Sequence, residues 1–332
     1  MAGPSEEVAL LRLAVRRGLA GAGVPPGTPL LVACSGGADS MALAAAVAVL
    51  RDRWPVHAAV VDHGLQDGSA RQAAETAELL TGMGLVAEVH QVTVAGGGGT
   101  EAAARRARYA ALRAARPSEN SPVLLGHTLD DQAETVLLGL GRGSGARSIA
   151  GMRGWDPPWL RPLLAVRRAT TRAVCVQLGL PIWDDPHNLE PRFTRVRLRT
   201  EVLPLLEDVL AGGVAEALAR TAVQLREDGD ALDGLAAAAY RDALVEGELE
   251  VKTLADYPAS VRRRALRIWL LAQGVSDLTD AALRRADDLI GNWRGQGEIT
   301  LPRGWVLYRR HGRLVLGNRL GGATVPPRVN EA

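Results

Sequence analysis

The sequence predicts an α/β protein, a doubly wound and mostly parallel sheet, followed by a second, mostly helical domain that ends in a small β-meander. Strand-like segments at 30–34, 56–61, 86–94 and 122–125 alternate with helical stretches at 41–50, 69–82, 101–115 and 130–140. Such alternation marks parallel strands joined by helical crossovers. Beyond about residue 200 it stops. Helical segments near 214–245, 258–273 and 278–292 follow one another, and β-like pieces at 298–301, 305–309 and 314–316 close the pattern. The expected organisation is a first domain at 1–205, a second at 206–320, and a frayed tail at 321–332.

Residues 6–20 open the chain as a helix. Glu6 and Glu7 precede its apolar positions, and Arg12, Arg16 and Arg17 interrupt them, which describes an amphipathic helix and not a signal peptide. A Gly/Pro loop at 21–29 leads to the first strand. That strand runs into Ser35-Gly36-Gly37-Ala38-Asp39-Ser40, and a helix leaves it. Two glycines let the backbone turn sharply and approach a ligand closely. Two hydroxyls and a helix N-terminus then make an anion site suited to phosphate. Asp39 fits such a site when Mg²⁺ accompanies the phosphates, because that ion takes carboxylate and phosphate oxygens together.

The second strand ends in Asp62-His63-Gly64, and the glycines at 96–99 read as a hinge before the helix carrying Arg105, Arg108 and Tyr109. The fourth strand runs into Gly126-His127-Thr128-Leu129-Asp130-Asp131-Gln132-Ala133-Glu134. Acidic residues there cap a helix in any protein. Three carboxylates within five residues exceed that need and can hold a metal, a basic substrate or an amine proton. Ser35, Asp62 and His127 all fall at strand carboxyl ends, where ligands bind in open α/β sheets. The glycine-rich, basic stretch from Arg142 through Ser144 to Met152 is either a flexible connector or a loop that closes over phosphate.

Composition bounds the remainder. At 332 residues, 47% apolar and 23% charged, the chain is a globular protein with room for two domains. Its longest apolar stretch, 41–50, is too short to cross a bilayer, so no membrane partner is expected. Two cysteines, Cys34 and Cys175, form no C-x-x-C pair; this fits a reducing cytoplasm and implies no cysteine-rich zinc site. Net charge is +2, and of 39 Lys+Arg residues only Lys252 is lysine. A high-GC genome explains most of that bias, yet guanidinium clusters at 105–108, 192–199 and 262–264 suit phosphate.

The ordered motifs carry a resemblance. The Ser35–Ser40 turn resembles the pyrophosphate loop of enzymes that split ATP between its α- and β-phosphates. Val61-Asp62-His63-Gly64-Leu65, Glu101…Arg105…Arg108-Tyr109, Gly126 to Thr135, Arg142 to Gly145, Arg161-Pro162-Leu163-Leu164, Asp185-Pro186-His187-Asn188, Arg195-Val196-Arg197-Leu198-Arg199 and Leu203-Pro204 follow it. In that order they resemble the tRNA(Ile)-lysidine synthetases, densely over 30–205 and more loosely to about 317. Departures fall at Gln66, Ser148, Glu190, Phe193 and Val196, away from the phosphate turn and the carboxylates.

The resemblance implies a cytoplasmic ligase that uses ATP and Mg²⁺ to join free L-lysine to the wobble cytidine of the isoleucine tRNA with a CAU anticodon. It implies Ser35 to Ser40, Asp62 and His63 as the ATP site, with Asp39 holding the metal. Asp39, His127, Asp130, Asp131 and Glu134 are the implied catalytic groups. Arg105, Arg108, Tyr109, Arg142, Ser144, Arg195, Arg197 and Arg199 are the candidate tRNA and substrate contacts. The chain resembles the shorter members, without an extra C-terminal domain, and a homodimer is compatible with this reading. A tRNA thiolase is the rival, disfavoured because sulfur transfer typically needs paired cysteines or a cluster.

Overall fold

The structure, a computed structural model, describes residues 4–64, 68–94, 99–143, 145–185 and 190–319. Gln66, the 96–98 glycines, Ser144, the Pro186-His187-Asn188 part of its motif and the 321–332 tail lie outside the described residues, as does the Glu101 side chain. The chain divides into two compact units, Met1–Gln224 and Leu225–Ala332. The first thus continues past residue 205, where the composition change placed a boundary.

In the first unit, α1 (Glu6–Gly21), β1 (Leu30–Cys34), α2 (Ala38–Ala48), β2 (Val56–Asp62), α3 (Ser69–Gly82), β3 (Val86–Gln91), α4 (Thr100–Ala114), β4 (Val123–Leu124) and α5 (Leu129–Arg142) follow the predicted alternation. A short α6 (Ala146–Ile149), β5 (Trp155–Asp156), β6 (Trp159–Leu160) and α7 (Arg168–Gln177) come next. The strands line up in the order β3-β2-β1-β4-β6-β5, parallel throughout except for the β5–β6 pair.

Strand alternation sorts the core into two layers. Leu30, Val32 and Cys34 of β1, with Val56, Ala58 and Val60 of β2, face α1, α2, α3 and α7. Leu31 and Ala59 face the opposite way, toward Leu112 of α4 and Trp159. The sheet is therefore covered on both sides, as an all-parallel core requires. α7 went unforeseen although Thr171, Val174 and Cys175 are its buried residues, a helical spacing of three and four. Its arginines and threonines hide that stripe.

The unit ends with α8 (Thr194–Arg197), a π-helical turn (Leu198–Val202), α9 (Leu203–Val209) and the start of α10 (Val214–Ala243). Leu129 and Ala133 of α5 pack with Leu203 and Ala215 there. The Glu207 carboxylate accepts from the Val214 and Ala215 N–H groups at 3.1 and 3.0 Å, capping α10.

The second unit holds most of α10, then β7 (Leu244–Val245), β8 (Glu248–Glu250), α11 (Val251–Ala255), α12 (Ala259–Ala272), α13 (Asp280–Gly291), β9 (Ile299–Thr300), β10 (Trp305–Arg310) and β11 (Arg313–Asn318). Its sheet has five antiparallel strands in the order β7-β8-β11-β10-β9. The expected meander is thus enlarged by the β7–β8 hairpin, whose strands are too short to give a periodic signal. Trp269 anchors the core at 1% exposure, its indole N–H donating to the Gly247 carbonyl at 2.9 Å. No helix among the described residues is long and apolar enough to cross a membrane.

Candidate active site

The turn between β1 and α2 is built for close backbone approach. Gly36 sits at φ +81°, and a Cβ there would meet Thr76 Oγ1 at 2.8 Å. Gly37 caps α2 without any side-chain hydrogen bond, so the cap residue leaves the first N–H groups of the helix open to an anion. Ser40 serves the turn itself. Its hydroxyl donates to the Gly37 carbonyl at 2.9 Å and accepts from the Ser35 N–H at 3.1 Å. The Trp183 N–H closes the turn from behind, donating to the Gly36 carbonyl at 2.9 Å.

Gly126 brings the second motif alongside. A Cβ on it would lie 3.0 Å from the Asp39 carbonyl carbon and oxygen and 3.1 Å from the Ser40 nitrogen. The β4–α5 turn therefore rests on the backbone of the phosphate turn, and a side chain at Gly126 would force that backbone to shift by a few tenths of an ångström. α5 then opens with a capping box. Thr128 N–H and its hydroxyl donate to Asp131 Oδ2 at 2.8 and 2.9 Å.

The carboxylates meet α7, whose role the sequence reading missed. Arg168 donates from Nε to Asp39 Oδ2 at 3.4 Å, from Nη2 to Asp131 Oδ1 at 2.6 Å, and from both Nη atoms to Glu134 Oε1 at 3.5 Å. Its backbone N–H donates to Asp130 Oδ2 at 2.8 Å. Thr171, one turn on, gives its hydroxyl proton to Asp39 Oδ1. Arg167 pairs with Asp130 at 3.5 Å and with Glu216 at 3.3 Å. Glu134 is fully buried; Arg199 donates to it at 2.9 and 3.4 Å, and Arg195 lies 3.6 Å away.

These partners set the protonation states. Burial pushes the Asp39 carboxyl up, only partly offset by Thr171 and Arg168. For Asp131 burial also opposes ionisation, but the Arg168 guanidinium and the Thr128 N–H outweigh it and hold the carboxyl below its usual range. Burial pushes His127 down to about 3, with Arg161, Arg108 and Arg105 acting in the same direction against Asp131. His127 is thus neutral at physiological pH.

A basic wall faces the same strand ends. Nδ1 of His63, Nδ1 of His127, Nε of Arg108 and Nε of Arg161 are buried without a hydrogen-bond partner among the described residues. Buried polar atoms are seldom left so. His63 is pushed down by burial and then by Arg108. Arg105 and Arg108 stack on the Tyr109 ring at 4.8 and 5.6 Å, and Tyr109 packs edge-on against Trp159 at 4.6 Å. Asp62, 7% exposed, accepts from the Gly64 N–H at 3.0 Å.

The structure thus brings together Ser35, Gly36, Gly37, Ala38, Asp39, Ser40, His127, Asp130, Asp131, Glu134, Arg195 and Arg199. Two expected contacts stand apart. Arg142 is exposed at the end of α5, and Arg197 turns outward to Glu201 at 2.9–3.1 Å. Gln132, also missed, clamps the far end of the glycine-rich stretch. Its side chain accepts from the Met152 N–H at 2.7 Å and donates to the Met152 carbonyl at 2.9 Å.

Both Asp39 oxygens are engaged by protein donors, and no group of three or more His, Cys, Asp or Glu side chains among the described residues forms a metal cage. That donor set suits only an ion held mainly by phosphate oxygens.

The PP-loop domain model matches residues 15–206, and the TilS substrate binding domain model matches residues 249–315. A tRNA(Ile)-lysidine synthase of Rhodococcus erythropolis is 58% identical over 298 residues, covering 88% of this chain and 90% of its own. The chain belongs to the tRNA(Ile)-lysidine synthases. The synthase of Rhodococcus jostii is 58% identical over 320 residues, 94% of this chain and 97% of that one. The synthase of Mycobacterium bovis is 59% identical over 296 residues, 87% and 88% of the two chains. Among solved structures, the U34-tRNA thiolase NcsA from Methanococcus maripaludis superposes with a TM-score of 0.55 at 16% identity, over 67% of this chain and 80% of that one. At that identity this chain and the thiolase share a fold.

Proposed function

We propose that this chain activates the wobble cytidine of the CAU-anticodon isoleucine tRNA with ATP and ligates free L-lysine to its carbon 2, in the cytoplasm, giving lysidine, AMP and pyrophosphate. The observation that carries the reading is the seating of the Gly126 turn on the backbone of Asp39 and Ser40. That contact sets an anion-binding turn beside four carboxylates.

In the first step the oxygen on carbon 2 attacks the α-phosphorus, an O–P bond forms, and the bond to pyrophosphate breaks. Free N–H groups at the start of α2 hold the departing phosphates. His63, Arg108 and His127, each with one buried nitrogen left without a partner among the described residues, are the candidates to meet the nucleotide's remaining phosphate. Mg²⁺, held by phosphate oxygens with Asp39 as its protein carboxylate, would neutralise phosphate charge when bound.

In the second step the ε-amine attacks carbon 2, a C–N bond forms, and the C–O bond to AMP breaks. The amine arrives as an ammonium, its ordinary pKa being about 10.4, so it needs carboxylates that bind it and then take its proton. Asp130, Asp131 and Glu134 provide them. The cytidine is reached because anticodon-loop bases are unpaired and readily unstacked. Arg105 and Tyr109 offer it a cationic and aromatic edge, and the 249–315 segment supports tRNA as the substrate.

No observation favours sulfur transfer. Cys34 and Cys175 are both buried; burial and nearby Asp39 push Cys175 up to about 11, and burial raises Cys34 as well. Thiolate chemistry is disfavoured at both. The deciding test incubates the purified chain with ATP, radiolabelled lysine and a CAU-anticodon isoleucine tRNA transcript. Label should enter the RNA only with ATP present; label-free RNA with all components would overturn the reading.

A further inference from the structure

Among the described residues, Arg168 is the one cation that touches both halves of the site, with Asp39 on one side and Asp131 and Glu134 on the other. Every carboxylate around it keeps a second partner of its own. Asp39 has the Thr171 hydroxyl, and Asp131 has the Thr128 N–H and hydroxyl. Glu134 has Arg199 and Arg195, and Asp130 has Arg167 and the Arg168 backbone N–H. The Arg168 guanidinium can therefore leave without orphaning a single buried acid. Arg199, by contrast, makes the closest contact to the fully buried Glu134.

The fit of Arg168 is also loose. One contact is short, to Asp131 at 2.6 Å, whereas those to Asp39 and Glu134 are 3.4 and 3.5 Å. Good guanidinium–carboxylate pairs lie at about 2.7–2.9 Å with both oxygens engaged. The pocket thus accepts a cationic group at Asp131 without being cut to the guanidinium fork. A primary ammonium, compact and with three donors, suits the same three oxygens.

We propose that Arg168 is a resident place-holder for the substrate ammonium: its guanidinium fills the amine pocket until lysine enters, and then swings out. The proposal rests on the lysine-ligating reading above. The exchange is charge-neutral, one monocation for another, so the buried acids are never left uncompensated. The Arg168 backbone stays fixed by Asp130 throughout. A pocket occupied by its own arginine most of the time also lowers apparent lysine affinity by the fraction of time it stands open.

The test uses the full chain and compares wild type with Arg168→Ala and Arg168→Gln, each checked for folding by circular dichroism. Lysine affinity is read by calorimetry and as the lysine KM of the transfer step, with and without millimolar guanidinium chloride. If the pocket is open about one-tenth of the time, both variants bind lysine about tenfold more tightly than wild type. Guanidinium should then compete with lysine in Arg168→Ala and leave wild type unchanged. Weaker lysine binding in both variants, or lost transfer that guanidinium restores, would overturn the proposal by showing a cation needed at that place. So would failure of both variants to fold. A wild-type chain that attaches no lysine to the tRNA would instead refute the underlying reading.

Discussion

Single residues here take their chemistry from what buries them. Asp39 sits in the phosphate turn with its carboxyl pushed up by burial, and the Thr171 hydroxyl is the strongest of the contacts that hold it down. Thr171→Val should raise it further and move the acidic limb of ATP–pyrophosphate exchange to higher pH, whereas Asp39→Ala should abolish the exchange. An unshifted limb in the valine variant would disconnect α7 from the turn. Glu134 makes the opposite case. Fully buried among three guanidinium groups, it holds Arg168, Arg195 and Arg199 as much as any substrate. Glu134→Gln should therefore cost about 3–5 kcal/mol of folding stability in urea titration, the usual cost of breaking a buried ion pair, besides impairing lysine transfer more than adenylation. His127 adds a pH signature. Its pKa of about 3 in the folded chain lies below its ordinary value, so the unfolded chain binds more protons in between. Its contribution is complete above the ordinary value and is lost as pH falls toward about 3. His127→Asn should flatten the fall of the thermal midpoint across that window. Asp39, Asp131 and Glu134 were legible from spacing alone. Arg168 and Thr171 were not, because an Arg-Arg-Ala-Thr-Thr stretch carries no motif and gains meaning only when α7 folds back onto α5.

At the level of elements, backbone contacts fix what side chains cannot. A Cβ at Gly139 of α5 would sit 2.0 Å from the Ser148 carbonyl oxygen, while nothing lies within 4 Å of one at Gly141. Gly139→Ala must push α6 away and should destabilise by about 1–3 kcal/mol. Gly141→Ala, in the same helix, should be neutral or stabilise by up to about 1 kcal/mol. Equal midpoints in denaturant titration would argue against the close helix approach. The strands and helices of the first unit were readable because buried parallel strands give nearly continuous apolar runs, as 30–34 does throughout and 56–61 does apart from His57. Two-residue strands such as β5 and β6 were not, since their pairing is dictated by the sheet edge they join. The start of α2 at Ala38, inside the motif, was hidden because its first turn reads as loop chemistry.

For the whole molecule, the chain divides within α10, and each unit has its own core. The second unit rests on a buried pair, Arg262 to Asp287 at 2.7 and 3.2 Å, with Asp287 7% exposed. Arg262→Ala leaves Asp287 with Arg263 at 3.6 Å as its remaining ion partner among the described residues. It should lower the unfolding midpoint of this unit by several degrees while leaving the first unit's hydrogen-exchange protection intact. Uniform loss of protection across both units would show one cooperative body. The Arg262–Arg264 run was read in the sequence as a guanidinium cluster suited to phosphate. Arg262 and Arg264 instead pair inward, the latter with Asp233 at 2.5 Å.

The same inward turn in the Arg195–Arg199 stretch bears on how the molecule grips a polyanion. The π-helical turn and α8 aim Arg195 and Arg199 at Glu134 and leave Arg197 on the outer surface. Only a guanidinium that meets phosphate in solvent displaces condensed counterions. Ionic strength should therefore report Arg197 and overlook Arg199: replacing the former lowers the log–log dependence of tRNA affinity on salt by about one, and replacing the latter leaves that slope where it was.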